Sequence, residues 1–152
     1  VPNKGDTAWM LVSSVLVLPQ RQTALVAKQI ATVDRLSGGR LTVAVGVGWN
    51  HAEYEAMGVD FAERSAILDE QITLVRRLLS EPVVTFDGRY HHLDRVGINP
   101  LPDRHIPIWM GSRGGEAALR RVIGTADGWM PLILAGVDPE KAVSRGALRK
   151  GR

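Results

Sequence analysis

Two short stretches hold the residue types from which a ligand site could be built. The first is Gly46, Val47, Gly48, Trp49 and Asn50, where an apolar, β-branched run ends. Glycine has no Cβ, so the backbone here can approach a flat ligand closely. In α/β folds, ligands sit at the carboxyl ends of the strands. The dinucleotide fingerprint G-x-G-x-x-G is matched only in part: Gly46 and Gly48 fit, but His51 stands in place of the third glycine. The plainer alternative is a tight turn. The second stretch is Gly111, Ser112, Arg113, Gly114 and Gly115, where a strand meets a helix. Amides at a helix start carry partial positive charge and bind phosphate. The Ser112 hydroxyl and the Arg113 guanidinium both suit phosphate oxygens. No G-K-[ST] follows, so this is not a Walker loop. Its plain alternative is a glycine-rich turn.

Other chemistries find little support. His91 and His92 are adjacent in a predicted strand, so they point to opposite faces and cannot share a metal. His105 falls in a loop. His51 follows the glycine turn and reads either as a proton-handling group or as an exposed loop histidine. The chain has no cysteine, which excludes disulfides, thiolate nucleophiles and zinc–sulfur sites. No nucleophile elbow is present, which argues against hydrolase chemistry. Trp49 and Trp109 lie where strands end and are placed to wall an aromatic cofactor, whereas Trp9 and Trp129 read as core.

The elements that must position these residues follow from periodicity and punctuation. Residues 8–18 form an apolar run closed by Pro19, read as a buried parallel strand. Residues 20–36 have a helical period, with Val26, Ile30 and Val33 on one face beside Ala27 and Ala31; Ser37, Gly38 and Gly39 stop the helix. Residues 40–47 are a second buried strand. A short helix over 52–57 and a long one over 62–80 follow, the long one striped by Leu68, Ile72, Val75 and Leu79. Asp87 and Gly88 signal a two-residue hairpin turn between strands at 83–86 and 89–93. A proline-punctuated loop leads to a strand over 106–110, a helix ending near Ile123, a strand over 127–132, and a last helix opened by Asp138 and Pro139. Strands and helices alternate, which predicts an α/β fold with a parallel sheet.

Composition bounds the rest. Hydrophobic residues make up 45% and charged residues 23% of 152 residues, an ordinary globular balance, and a single domain over 1–152 is expected. A complete (β/α)₈ barrel needs about 250 residues. The net charge is +3, with Arg145, Arg149, Lys150 and Arg152 near the end. No aromatic residues interleave this basic tail, so nucleic acid is not an expected partner. No apolar run reaches the roughly 18 residues of a membrane span, and no small-residue cleavage site follows residues 8–18. The expectation is a soluble, cytoplasmic protein.

Many motifs in order resemble the luciferase-like monooxygenases, and most closely their F420-dependent oxidoreductase branch. They begin with Val17, Leu18, Pro19 and Arg21, then Ala27 and Lys28, then the run from Asp34 through Leu36, Ser37, Gly38 and Gly39 to Arg40. They continue with Gly46, Gly48, Trp49, Glu53, Gly58, Glu63, Arg64, Asp69 and Glu70. Phe86, Gly88, Pro107, Trp109, Gly111, Ala126, Asp127, Gly128 and Trp129 complete the set. The resemblance implies a partial TIM-type (β/α)₈ barrel of about four βα units, strands 3 to 6 of the family, with an inserted β-hairpin. It implies an oxidoreductase or monooxygenase using reduced F420, or alternatively FMN, on a small organic substrate. Ser14 and Val15 would press against the middle ring of the cofactor through a bulge and an unusual cis peptide. Residues 46–50 would border the ring system, residues 111–115 would hold the phosphate, and His51 would handle protons. The cofactor does the redox chemistry in such enzymes and the protein orients it.

A full family member carries two further βα units on each side, so the chain is expected to be a truncated, central part of the barrel. The alternative is a non-catalytic half-barrel that binds a phosphate-bearing ligand or assembles with itself. An open parallel sheet has two exposed edges, which invite pairing with a second copy. The chain is therefore expected to be a homo-oligomer; light scattering during gel filtration that returns a monomer mass would contradict this.

Overall fold

The computed structural model of the chain describes residues 22–131. The strand expected at 8–18, with Ser14 and Val15, lies outside the described residues, as do the last helix and the basic tail. The first described element is helix α1 (Thr23–Leu36). It ends in a Schellman motif: the Gly39 amide donates to Asp34 O at 2.8 Å and the Gly38 amide to Arg35 O at 3.1 Å. Gly38 and Gly39 have φ of 68° and 76°, the left-handed region that favours glycine. The buried Asp34 carboxylate then accepts the Leu41 amide at 3.3 Å and pairs with Arg104. The run from Asp34 to Gly39 thus folds the chain back into strand β1 (Val43–Gly46).

After β1 come α2 (His51–Ala56), a 3₁₀ turn (Phe61–Glu63) and α3 (Arg64–Ser80). The hairpin β2 (Val84–Asp87) and β3 (His92–Val96) follows, then β4 (Ile108–Ser112), α4 (Glu116–Thr125) and β5 (Gly128–Pro131). β1, β4 and β5 form a parallel sheet in that order, and the hairpin stands apart as an antiparallel pair. This is an α/β fold of the partial-barrel type. Val43, Ile108 and Met110 pack with Val26 and Ile30 of α1 and Leu68, Ile72 and Val75 of α3. By the two-residue period of a strand, Ala44, Gly46, Trp109, Gly111, Gly128 and Met130 take the opposite, inner face.

Leu68, Ile72 and Val75 of the stripe expected on α3 are buried, but they are only part of what that helix buries. Leu74 and Leu78 are also buried, against Ala27 and Val84, with Phe86 and Leu93 packed alongside. α3 therefore serves two partners, the sheet on one side and the hairpin on the other.

The hairpin differs from the expected two-residue turn. Asp87 pairs with His92 and the Gly88 amide donates to His91 O at 2.9 Å, so residues 88–91 form the loop. His91 lies in this loop rather than in a strand. The cause is Glu70 on α3. Its carboxylate accepts the Arg89 amide at 2.8 Å, the Tyr90 amide at 2.9 Å and lies 2.8 Å from Nδ1 of His91. These bonds replace those of a tight turn. Gly88 is required by contact, because a Cβ there would lie 2.5 Å from Cδ of Glu70.

Burial alone would raise the Glu70 pKa. The hydrogen bonds from His91, Tyr90 and Arg89 outweigh it, and the net effect is a lowered pKa. A depressed carboxylate pKa stabilises the fold above the unfolded value and loses that contribution as pH falls through the folded value. Glu70→Gln is expected to cost about 1–3 kcal/mol at pH 7. The gap to wild type should be widest above the ordinary Glu pKa of about 4.3 and close at lower pH. Chemical denaturation at several pH values measures it; a pH-independent gap would contradict the assignment.

Candidate functional site

The parallel register brings together two of the sequence-predicted stretches, 46–50 and 111–115, at one end of the sheet, while Ser14 and Val15 lie outside the described residues. Gly46 is the register partner of Gly111, and Gly111 of Met130. Residues 47–50 leave the carboxyl end of β1, and residues 113–115 leave that of β4. The two stretches are thus neighbours at the end where ligands bind in this architecture.

Local chemistry shapes the first loop. Gly48 has φ of 75°. The Asn50 side chain caps α2, accepting the Ala52 amide at 3.2 Å and donating to Oε1 of Glu53 at 2.9 Å. His51 is therefore the first helical residue, exposed, with its ring 5.0 Å from that of Phe61. The other neighbours of Phe61 are the Tyr54 edge at 5.2 Å and the Arg64 guanidinium at 3.7 Å. Trp49 is 81% exposed at the same edge. Tyr54 was not singled out from sequence, yet it is fully buried and its hydroxyl donates to Val47 O. Burial raises the phenol's pKa, offset in part by Arg64, so it stays a donor.

The second loop is built around Ser112. Its Oγ accepts Trp129 Nε1 at 2.9 Å and the Gly114 amide at 3.4 Å, which leaves its own proton to donate. Gly114 has φ of 83°, and a Cβ there would lie 3.3 Å from the Trp129 ring. Gly115 is the N-cap of α4 and supplies no side-chain cap, so the amides of Ala117 and Ala118 keep their donor capacity. Arg113 is exposed and makes no hydrogen bond or ion pair among the described residues. Glu116 adds a negative charge in that turn and is paired with Arg120 at 2.6 Å.

The histidines set aside from sequence serve the scaffold. His91 is 1% exposed against Glu70, and His92 pairs with Asp87. His105 joins Arg76 on Asp127 at the opposite end of the sheet. Among the described residues no three metal-ligating side chains cluster, and no helix is long and apolar enough to cross a membrane.

The structure is a partial parallel barrel in which the glycine pair lies beside the start of α4. The chain belongs to the luciferase-like monooxygenase family, whose model matches residues 10–151. It is 40% identical over 127 residues to an uncharacterized protein of Mycobacterium tuberculosis, covering 84% of this chain and 42% of that protein. It is 30% identical over 126 residues to the FMNH2-dependent dimethylsulfone monooxygenase of Pseudomonas fluorescens, covering 81% and 34%. The structure of coenzyme F420-dependent tetrahydromethanopterin reductase from Methanopyrus kandleri superimposes with a TM-score of 0.67 at 25% identity, over 87% of this chain and 43% of that one. The chain thus spans about two-fifths or less of the length of these relatives.

Tyr54→Phe is expected to cost about 1 kcal/mol, because it leaves the Val47 carbonyl without its donor. Thermal unfolding measures this; an unchanged midpoint would contradict a role for Tyr54 in holding the loop.

Proposed function

We propose that the chain is the cofactor-binding part of an oxidoreductase that uses reduced F420, or alternatively FMN, on a small organic substrate. The observation that carries this reading is the Gly46–Gly111 pair. Among the described residues, a Cβ on Gly46 would meet only Gly111 O, at 3.7 Å, and one on Gly111 would meet Cε of Met130 at 3.4 Å and Val45 O at 3.5 Å. Alanine would fit both places, and φ is not left-handed at either. Glycine inside a strand costs about 0.5–1 kcal/mol relative to alanine, and nothing among the described residues requires glycine at either position. Each leaves a cradle that a Cβ would fill, suited to a flat ring lying against backbone. Relatives named for FMNH2 and for F420 support a cofactor of this shape.

In this reading the amides at the start of α4, the Ser112 hydroxyl and Arg113 hold the cofactor's phosphate, as a set of donors should. Residues 46–50 border the ring, Trp49 covers its exposed side, and His51 moves a proton at the mouth of the site. When bound, the cofactor supplies the electrons of the redox step. A second reading is a half-barrel that binds the phosphate-bearing ligand, or assembles with a second copy, without turnover.

Titration of the purified chain with F420 and with FMN, followed by Trp fluorescence, tests the site. Binding is expected below about 1 mM, and Arg113→Ala should weaken it about tenfold without changing the unfolding midpoint. No binding of either cofactor, or an affinity unchanged by Arg113→Ala, would contradict the assignment. Turnover of reduced cofactor by the bound complex separates the enzyme from the binding module.

A further inference from the structure

The inner face of the sheet is arranged in two rows. Ala44, Trp109 and Gly128 form the lower row, and Gly46, Gly111 and Met130 the row nearer the carboxyl ends. Each row has one large side chain and two small residues. Trp109 belongs to β4, but its indole lies over β5. A Cβ on Gly128 would lie 2.7 Å from Trp109 Nε1 and 2.8 Å from Cδ1 and Cε2. Gly128 is therefore a glycine that the chain's own atoms demand, unlike Gly46 and Gly111. The indole is held against the Gly128 backbone and is still 38% exposed. Met130, also on β5, stands one row above it. Cε of Met130 would lie 3.4 Å from a Cβ on Gly111, so its methyl leans toward β4. The two side chains thus wall one apolar side of the strip floored by Gly46 and Gly111.

We infer that Trp109 and Met130 determine which flat ring the site accepts and where the ring's edge comes to rest, with Gly128 acting through Trp109 as a positioning residue. This rests on the ring site proposed above. The wall is apolar, so it faces a hydrocarbon edge of the ring rather than its carbonyl edge, because an unpaired polar group against it would lose its hydrogen bonds to water. Trp109 fixes depth, since its rigid indole lies beneath the upper row. Met130 fixes width, and its unbranched thioether can adapt to the ring's rim.

The test is FMN binding to the full chain, read from flavin emission, with unfolding midpoints as the control for folding. Wild-type protein should quench bound FMN through the neighbouring indoles, and Trp109→Leu should reduce the quenching, leaving the share that Trp49 contributes. Trp109→Leu and Gly128→Ala should each weaken FMN about tenfold, and the double variant should be no weaker than Trp109→Leu alone. Trp109→Phe, the milder change, should recover part of the affinity. Met130→Ala should shift preference about tenfold toward an FMN analogue with a bulkier alkyl group on its hydrocarbon edge. If wild type binds FMN with the same affinity as all of these variants, the wall assignment is overturned while the ring site stands. Additive losses in the double variant overturn the role given to Gly128. No binding of FMN by wild type overturns both the ring site and the wall.

Discussion

Asp127 locks β4 to β5. Its amide donates to Ile108 O at 2.8 Å, and its carboxylate accepts the Ile108 amide at 2.8 Å. Burial would raise the carboxyl's pKa; the bonds from Ile108, Arg76 and His105 prevail and lower it. This reciprocal pair sets Trp109 opposite Gly128 and Gly111 opposite Met130. A slip of one residue would turn every side chain of β5 to the other face, removing Trp129 from Ser112 and Met130 from the inner row together. The Asp34–Arg104 pair does similar work below β1, where Arg104 also donates to Leu41 O at 2.7 Å. The strands are therefore anchored by buried or shielded charge at their amino ends, and the loops at their carboxyl ends are left to meet a ligand.

The glycines divide along the same line. Gly88, Gly97 and Gly128 are required because a Cβ would strike Glu70, Pro82 O or Trp109 at 2.7 Å or less. Gly46 and Gly111 meet no such obstacle among the described residues. Both stand on the inner face, side by side, next to the loops that resemble a cofactor site. That room is what the proposed ring would fill.

Much of the scaffold was legible in the sequence because local rules governed it. Ser37, Gly38 and Gly39 read as a helix stop, and they close α1 in a Schellman motif. The glycine-rich run after Met110 read as a helix start, and α4 begins at Glu116. Elements shaped by distant partners were misread. The strand expected at 106–110 lies at Ile108–Ser112, because Pro107 has no amide to donate and the Asp127 bonds begin at Ile108. Asp87 and Gly88 suggested a tight turn, but Glu70, far along the chain, holds a longer loop open. Gly46, Gly111 and the loop residues were visible as chemistry-bearing types. Tyr54 and Met130 were not, because a buried hydrogen bond and a cross-strand register leave no local pattern.

The central claim is that a flat ring lies on Gly46 and Gly111 while its phosphate sits at the start of α4. Amide proton–nitrogen spectra of the chain, recorded first with inorganic phosphate and then with FMN, test it most directly. The account predicts that phosphate moves the amides of residues 113–118 alone, and that FMN moves these together with those of Gly46 and Gly111. FMN binding that leaves the Gly46 and Gly111 amides unmoved would contradict it.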